Sequence, residues 1–312
     1  MMKNCFFSNS IQKLVVFATL FIFNIATAQW TQTSQTNIYS PSSGTLSSLG
    51  DFGYGTDNNG VQYVAYTELL SGSTSTWDLV RVKRYNSSND TWEDFGPTYA
   101  TSIVGRHPRI AFDSNNDLYI AFIQITNVNS NSVIVKKYNS GSQTWSSVFG
   151  TSESPVTSIT VANGQNAVMD IDFAGTSPVV AIQTANNTIN CYTYNGSTWN
   201  TSLTNSANYN GTQVDLAKNG SQVYFFYPNS VNNLQGAVYN GSSWAAISGS
   251  ASLGSTYIYK MSVKFYGSDI YVGAISLASN NYFAKLFKYT SSTYNDISSS
   301  DFSTSGTSLE AF

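Results

Sequence analysis

One histidine in 312 residues leaves little room for imidazole chemistry. A zinc site of ordinary composition is excluded, and so is any Ser-His-Asp or Cys-His mechanism that does not use His107 itself. Cysteine is equally scarce, with Cys5 and Cys191 the whole complement. Charged residues make up only 10% of the chain and the formal net charge is −3, an acidic balance that gives no electrostatic case for nucleic acid or an anionic membrane. So little Lys and Glu also argues against long solvated helices.

The first 28 residues read as a leader. Lys3 and Lys13 sit around a polar start, Leu14 to Ile25 is apolar but short for a bilayer span, and Ala26-Thr27-Ala28 gives the small-x-small pattern before Gln29. A cleaved signal peptide over 1–28 and a secreted product are expected. Cys5 precedes the apolar run, so no lipid anchor is implied. Cleavage leaves Cys191 alone, which forbids an intrachain disulfide and places the burden of stability on packing.

What is present is aromatic and β-prone. Aromatics reach 14%, and Ser, Thr, Asn and Gly dominate the polar remainder. An all-β chain of short strands and tight turns is expected. Second strands are read at GVQYVAY (60–66), LYIAF (118–122), PVVAI (178–182), VYFFY (223–227) and IYVGA (270–274). Their reference residues Tyr63, Tyr119, Val179, Tyr224 and Tyr271 are spaced by 56, 60, 45 and 47 residues, the period of a blade. Third strands close on Tyr85, Tyr138, Tyr194, Tyr239 and Tyr289. Asn- and Ser-rich turns then lead to Trp92, Trp145, Trp199, Trp244 and Tyr294, which open fourth strands and are read as blade packing. First strands end at Phe112, Phe173, Ala217 and Phe265. Cys191 occupies a position that is apolar or small in every repeat, as a buried structural thiol would.

The fold class is therefore all-β, a β-propeller of four-stranded blades with five complete repeats over 29–312. Trp30 to Tyr39 is read as a lone fourth strand and Ser308 to Phe312 as a lone first strand of a sixth blade, whose remainder the chain lacks. The pattern LYIAF…VIVKKYNSGSQTWSSVFG resembles the blade repeats of secreted bacterial propellers, especially those of Bacteroidetes surface proteins, and more loosely kelch repeats. The resemblance covers about residues 30 to 312 and implies the architecture rather than a function.

Candidate chemistry is thin. SSNDTW (87–92) and SGSQTW (140–145) resemble half of a sialidase Asp-box turn, but Arg81, Arg84, Arg106 and Arg109 all come from adjacent repeats. Asp113, Asn115 and Asp117 alternate like calcium ligands, yet Leu118 and Gln124 replace the glycine and the bidentate carboxylate such a loop needs. Asp170, Asp172 and Asp215 alternate with apolar residues in first strands, which line a propeller's channel, and carboxylate pairs for glycoside hydrolysis could be drawn from them, though solvated channel groups explain them equally. No catalytic residue, metal or cofactor is assigned.

The reading is a secreted binding or adhesion propeller for an extracellular glycan or a surface partner. Competing readings are a carbohydrate-active enzyme using the channel carboxylates, and a structural module of a longer surface protein. Insertions near Trp77-Asp78 and Asn127 to Asn131 lie on the side of the second-to-third loops, with the connections between blades. Trp77, Asp78, Arg106, His107, Tyr209 and Tyr257 are expected in those loops as the ligand-binding set.

Overall fold

The computed structural model describes residues 49–69, 78–97, 105–127, 130–147, 156–159, 169–184, 188–205, 214–228, 233–253, 257–278, 281–290 and 292–298. These form 21 strands and no helix. Blade 1 holds β1 (Leu49–Thr56), β2 (Gln62–Leu69), β3 (Asp78–Asn86) and β4 (Thr91–Asp94). Blade 2 holds β5 (Gly105–Phe112), β6 (Leu118–Asn127), β7 (Ser130–Asn139) and β8 (Thr144–Ser147), with the short β9 (Thr157–Ile159) added on β7. Blade 3 runs β10 (Met169–Ala174), β11 (Ser177–Thr184), β12 (Thr188–Tyr194), β13 (Trp199–Asn205). Blade 4 runs β14 (Leu216–Asn219), β15 (Gln222–Pro228), β16 (Asn233–Tyr239), β17 (Trp244–Ser252). Blade 5 runs β18 (Tyr257–Tyr266), β19 (Asp269–Ala278), β20 (Asn281–Thr290), β21 (Thr293–Asp296). Each blade is an antiparallel meander in chain order, and the five together are a β-propeller.

Local chemistry fixes the hairpins. In the third-to-fourth turns of blades 1 to 4 an Asn side chain accepts the amide two residues on: Asn86 from Ser88, Asn139 from Gly141, Asn195 from Ser197 and Asn240 from Ser242. This Asx turn closes the loop without help from elsewhere. The register it sets puts each closing tyrosine opposite the following aromatic, with centroids 5.5 Å apart for Tyr85 and Trp92, 5.2 Å for Tyr138 and Trp145, 5.5 Å for Tyr194 and Trp199, and 5.3 Å for Tyr239 and Trp244. Each pair contributes about 0.5–1.5 kcal/mol beyond its burial.

The core lies between blades. Tyr63, Ala65, Val80 and Val82 of blade 1 meet Ile110, Phe112 and Ile120 of blade 2; blades 2 and 3 share a second cluster; blades 3, 4 and 5 share a third. Along a first strand, residues alternate between the preceding and the following blade, as the pleat requires. Cys191 is fully buried in the third cluster, and burial pushes its thiol pKa up.

Three expectations need correction or completion. β1 was not read from the sequence, and neither was β9. Of the insertion expected at Asn127 to Asn131, the described residues continue the ladder, Asn127 pairing Ser130 and Ile125 pairing Asn131, so they lengthen the hairpin of β6 and β7. In blade 4 the strand runs on to Asn219, and Lys218, opposite Val223, takes the place that Phe112, Phe173 and Phe265 take opposite Leu118, Pro178 and Ile270. The strands expected at Trp30 to Tyr39 and Ser308 to Phe312 lie outside the described residues. β1 packs on β5, β5 on β10, β10 on β14 and β14 on β18. Phe52 and Tyr54 of β1 are 69% and 55% exposed, and Tyr266 of β18 is 80% exposed.

Candidate functional site

The five first strands enclose a channel. A polar cavity of about 380 Å³ there is lined from every blade, by Tyr54, Ala111, Asp170, Asp172, Asp215, Lys218 and Lys264 among others. A first strand has one edge without a ladder partner, and its outward amides must be satisfied by something else. Aspartate does this twice. Asp170 Oδ2 accepts the Leu216 amide of the next blade at 2.7 Å, and Asp215 Oδ2 accepts the Val263 amide of the blade after at 2.7 Å together with the Ser262 hydroxyl at 2.9 Å. Asp170 and Asp215 stand at one register, opposite Ala181 and next to Leu216 opposite Phe225 respectively, so the same clasp is used at successive junctions.

The remaining charges complete the channel. Lys218 Nζ donates to the Phe112 carbonyl at 2.6 Å, two blades back, and lies 4.0 Å from Asp172 Oδ1. Lys264 Nζ stands 3.5 Å from Asp215. Burial raises the Asp170 carboxyl well above its usual range, with the Asp215 charge adding to it and the Leu216 amide opposing it. Asp172 is pushed up to about 6, by burial first, against the pull of Lys218. A carboxylic acid near that value is suited to giving a proton around neutrality. Asp172 Oδ1 also accepts the amide of Phe173 at 2.8 Å.

Arg81, Arg84 and Arg109 are engaged within blades 1 and 2. Arg81 holds Asp94 through two contacts of 3.1 and 3.0 Å, Arg84 lies over the Phe95 ring and 3.9 Å from Glu93, and Arg109 donates to the Pro108 and Phe52 carbonyls. The calcium-like loop has its own explanation. Asp113 Oδ1 accepts the amides of Asn115 and Asp117, and Oδ2 accepts the Tyr119 hydroxyl, leaving a closed Asx turn. Asp117 is ion-paired with Lys137. No group of three or more metal-ligating side chains occurs among the described residues.

The expected ligand-binding set is only partly in loops. Arg106 and His107 lie within β5, Tyr257 opens β18 and Asp78 opens β3. The correction has a physical cause: these residues continue ladders, Arg106 with Ile123, Tyr257 with Leu277 and Asp78 with Leu69, which the apolar pattern did not extend far enough to show. All four sit at the strand ends beside the second-to-third connections, but in blades 1, 2 and 5. His107 is at φ 51° inside a bulge between Arg106 and Arg109, a left-handed conformation that non-glycine residues seldom hold. Trp77 and Tyr209 lie outside the described residues. Sequence reading listed the channel aspartates but missed their inter-blade clasps, which join residues about 46 positions apart.

No family model matches the sequence, and no curated protein matches it. Solved structures do resemble the chain. The SapL1 lectin in complex with alpha methyl fucoside is 16% identical with a TM-score of 0.51, over 80% of this chain and 79% of that one. A mutant of the Aleuria aurantia lectin AAL in complex with Fucalpha1-6GlcNAc is 16% identical with a TM-score of 0.50, over 80% and 79%. The Penicillium chrysogenum alpha-L-arabinanase complexed with arabinobiose is 13% identical with a TM-score of 0.50, over 80% of each chain. At such identities the likeness establishes the β-propeller fold, a scaffold on which binding proteins and enzymes both occur.

Proposed function

We propose that this chain is a secreted, non-catalytic carbohydrate-binding propeller. The observation that carries the reading is the engagement of the channel carboxylates: Asp170 and Asp215 are held by backbone amides of neighbouring blades and serve cohesion. A glycoside hydrolase needs two carboxylates free to act as acid and as base or nucleophile. Secretion rests on the leader read in residues 1–28, which lie outside the described residues. No helix among the described residues is long and apolar enough to cross a membrane. The fold neighbours include lectins whose complexes hold fucosides, which makes neutral glycans the first ligands to test. The strained bulge at His107, next to Arg106, supports a contact surface at that end of blade 2, since bulges re-aim side chains and strain collects at sites.

A glycan array is the test. Wild-type protein should bind one or more glycans, and Trp77→Ala with Arg106→Ala should reduce that binding at unchanged melting temperature. An array without a hit would overturn the reading. The second reading, a carbohydrate-active enzyme, is favoured by Asp172 alone, whose raised pKa suits a general acid. Polysaccharide hydrolysis that Asp172→Asn abolishes would establish it in place of the first.

A further inference from the structure

Blade junctions repeat one arrangement. The second-strand tyrosine of a blade packs its ring, tilted or edge-on, against the phenylalanine at or next to the end of the next blade's first strand: Tyr63 against Phe112 at 5.3 Å, Tyr119 against Phe173 at 4.4 Å and Tyr224 against Phe265 at 5.0 Å. The third-strand residue beside that tyrosine is Arg84, Lys137 or Lys288 in blades 1, 2 and 5, and the two lysines lie over their tyrosine rings. In blade 4 the same place is held by Val238.

Between blades 3 and 4 every member of the set is replaced. Val179 stands for the tyrosine, Thr193 for the cation and Lys218 for the phenylalanine. The Lys218 amine turns into the channel toward the Phe112 carbonyl and Asp172. Asp172, the cross-strand neighbour of Val179, completes the exchange of an aromatic pair for an ion pair. The junction of blades 4 and 5 keeps the two rings, with Val238 in the cation's place, so only the junction of blades 3 and 4 lacks all three, and a cleft of about 500 Å³ lies at its turn end, with Thr193 on its wall. Thr176, Ser177, Pro178 and Thr193 of blade 3 and Tyr239 and Ser242 of blade 4 are among its lining residues.

We propose that this cleft between blades 3 and 4 binds a neutral carbohydrate of one or two rings. The volume is within the roughly 300–1,000 Å³ of small-molecule sites. No Asp, Glu, Lys, Arg or His is among the lining residues, so the cleft has nothing to compensate a carboxylate or sulfate. Hydroxyls on both walls match the hydroxyls of a sugar, and the prolyl and tyrosyl side chains give surface for its C–H face. The opposite end of the molecule, where Arg106 and His107 sit, is a separate surface. The inference rests on the carbohydrate-binding reading and assigns it a subsite and a charge class.

The fold itself supplies the test variants, because other blades carry the larger residues at the same register. Thr193→Lys and, separately, Thr193→Arg place on the cleft wall the long side chains that Lys137 and Arg84 hold at that register in blades 2 and 1. The probes are methyl glycosides of neutral hexoses and deoxyhexoses and neutral disaccharides, with sialyllactose and methyl glucuronide as acidic controls, titrated calorimetrically into the wild-type chain and each variant. Neutral probes should bind wild type, acidic ones should not, and each filled variant should weaken binding at least tenfold while its melting temperature holds or rises. Neutral binding that persists in folded filled variants would overturn the cleft and leave the carbohydrate-binding reading standing. Stronger binding of the acidic controls at the cleft would overturn the charge class. Array glycans that bind while none of these probes does would place recognition elsewhere and also overturn the cleft, whereas an empty array sinks the underlying reading with it. If one variant fails to fold, the other decides.

Discussion

The carboxylate of Asp215 in blade 4 accepts the backbone amide of Val263 in blade 5 at 2.7 Å, and Asp170 does the same for Leu216 one junction earlier. A side chain thus performs for a sheet edge what a neighbouring strand would do inside a sheet. Cohesion of the ring near its axis depends on this pair of contacts as well as on apolar burial.

Asp215→Ala should therefore destabilise the chain. It leaves the Val263 amide and the Ser262 hydroxyl without their acceptor, a loss of roughly 1–3 kcal/mol. Asp215→Asn keeps a carbonyl oxygen and should lose less. Urea unfolding of both variants checks the order, and an alanine variant as stable as wild type would refute the clasp.

The pH dependence of stability should carry the mark of Asp172. Its folded pKa of about 6 exceeds the ordinary 3.8, so between about pH 4 and pH 6 the folded chain keeps a proton that the unfolded chain has released. The contribution is fully present below about pH 4 and is lost as pH rises through 6, at most about 3 kcal/mol in total. Asp172→Asn should remove this segment, so its stability relative to wild type should rise from pH 4 to pH 7. Denaturant midpoints at the two pH values give the measurement.

Gly53→Ala should be strongly unfavourable and Gly273→Ala nearly neutral. A Cβ on Gly53 would lie 2.4 Å from the Pro108 carbonyl oxygen and 2.7 Å from the Arg109 Cα, both backbone atoms that cannot step aside. A Cβ on Gly273 meets nothing closer than 3.9 Å, and Ala65, Ala121 and Ala181 occupy the matching place in other blades. Losses of roughly 1–3 kcal/mol and under about 0.5 kcal/mol are expected. Thermal melts of the two variants separate the cases.

Cys191 should react with a thiol reagent only after unfolding. It is fully buried between blades, and burial disfavours the thiolate that does the chemistry. The rate of labelling should follow the unfolded fraction across a denaturant series; fast labelling of the native chain would contradict the burial.

The sequence by itself determined the strand inventory almost completely, because the signals are local. A closing tyrosine, an Asn- or Ser-rich turn and an aromatic five to seven residues on specify a hairpin through contacts within about a dozen positions, and five copies gave five blades. The tertiary structure decided what depends on the neighbouring blade. β1 escaped reading since Gly53 and Gly55 weaken its strand signal, and they are glycine because blade 2 lies against them, Gly55 facing Ile110. The loop placement of Arg106, His107, Asp78 and Tyr257 failed because ladders extend past the apolar run. Lys218 rather than Ala217 was placed opposite Val223 by the ladder, and only the ladder shows that one junction has exchanged its aromatic pair for an ion pair. Those relationships join residues a whole repeat apart, where no local periodicity records them and packing between sheets alone sets them.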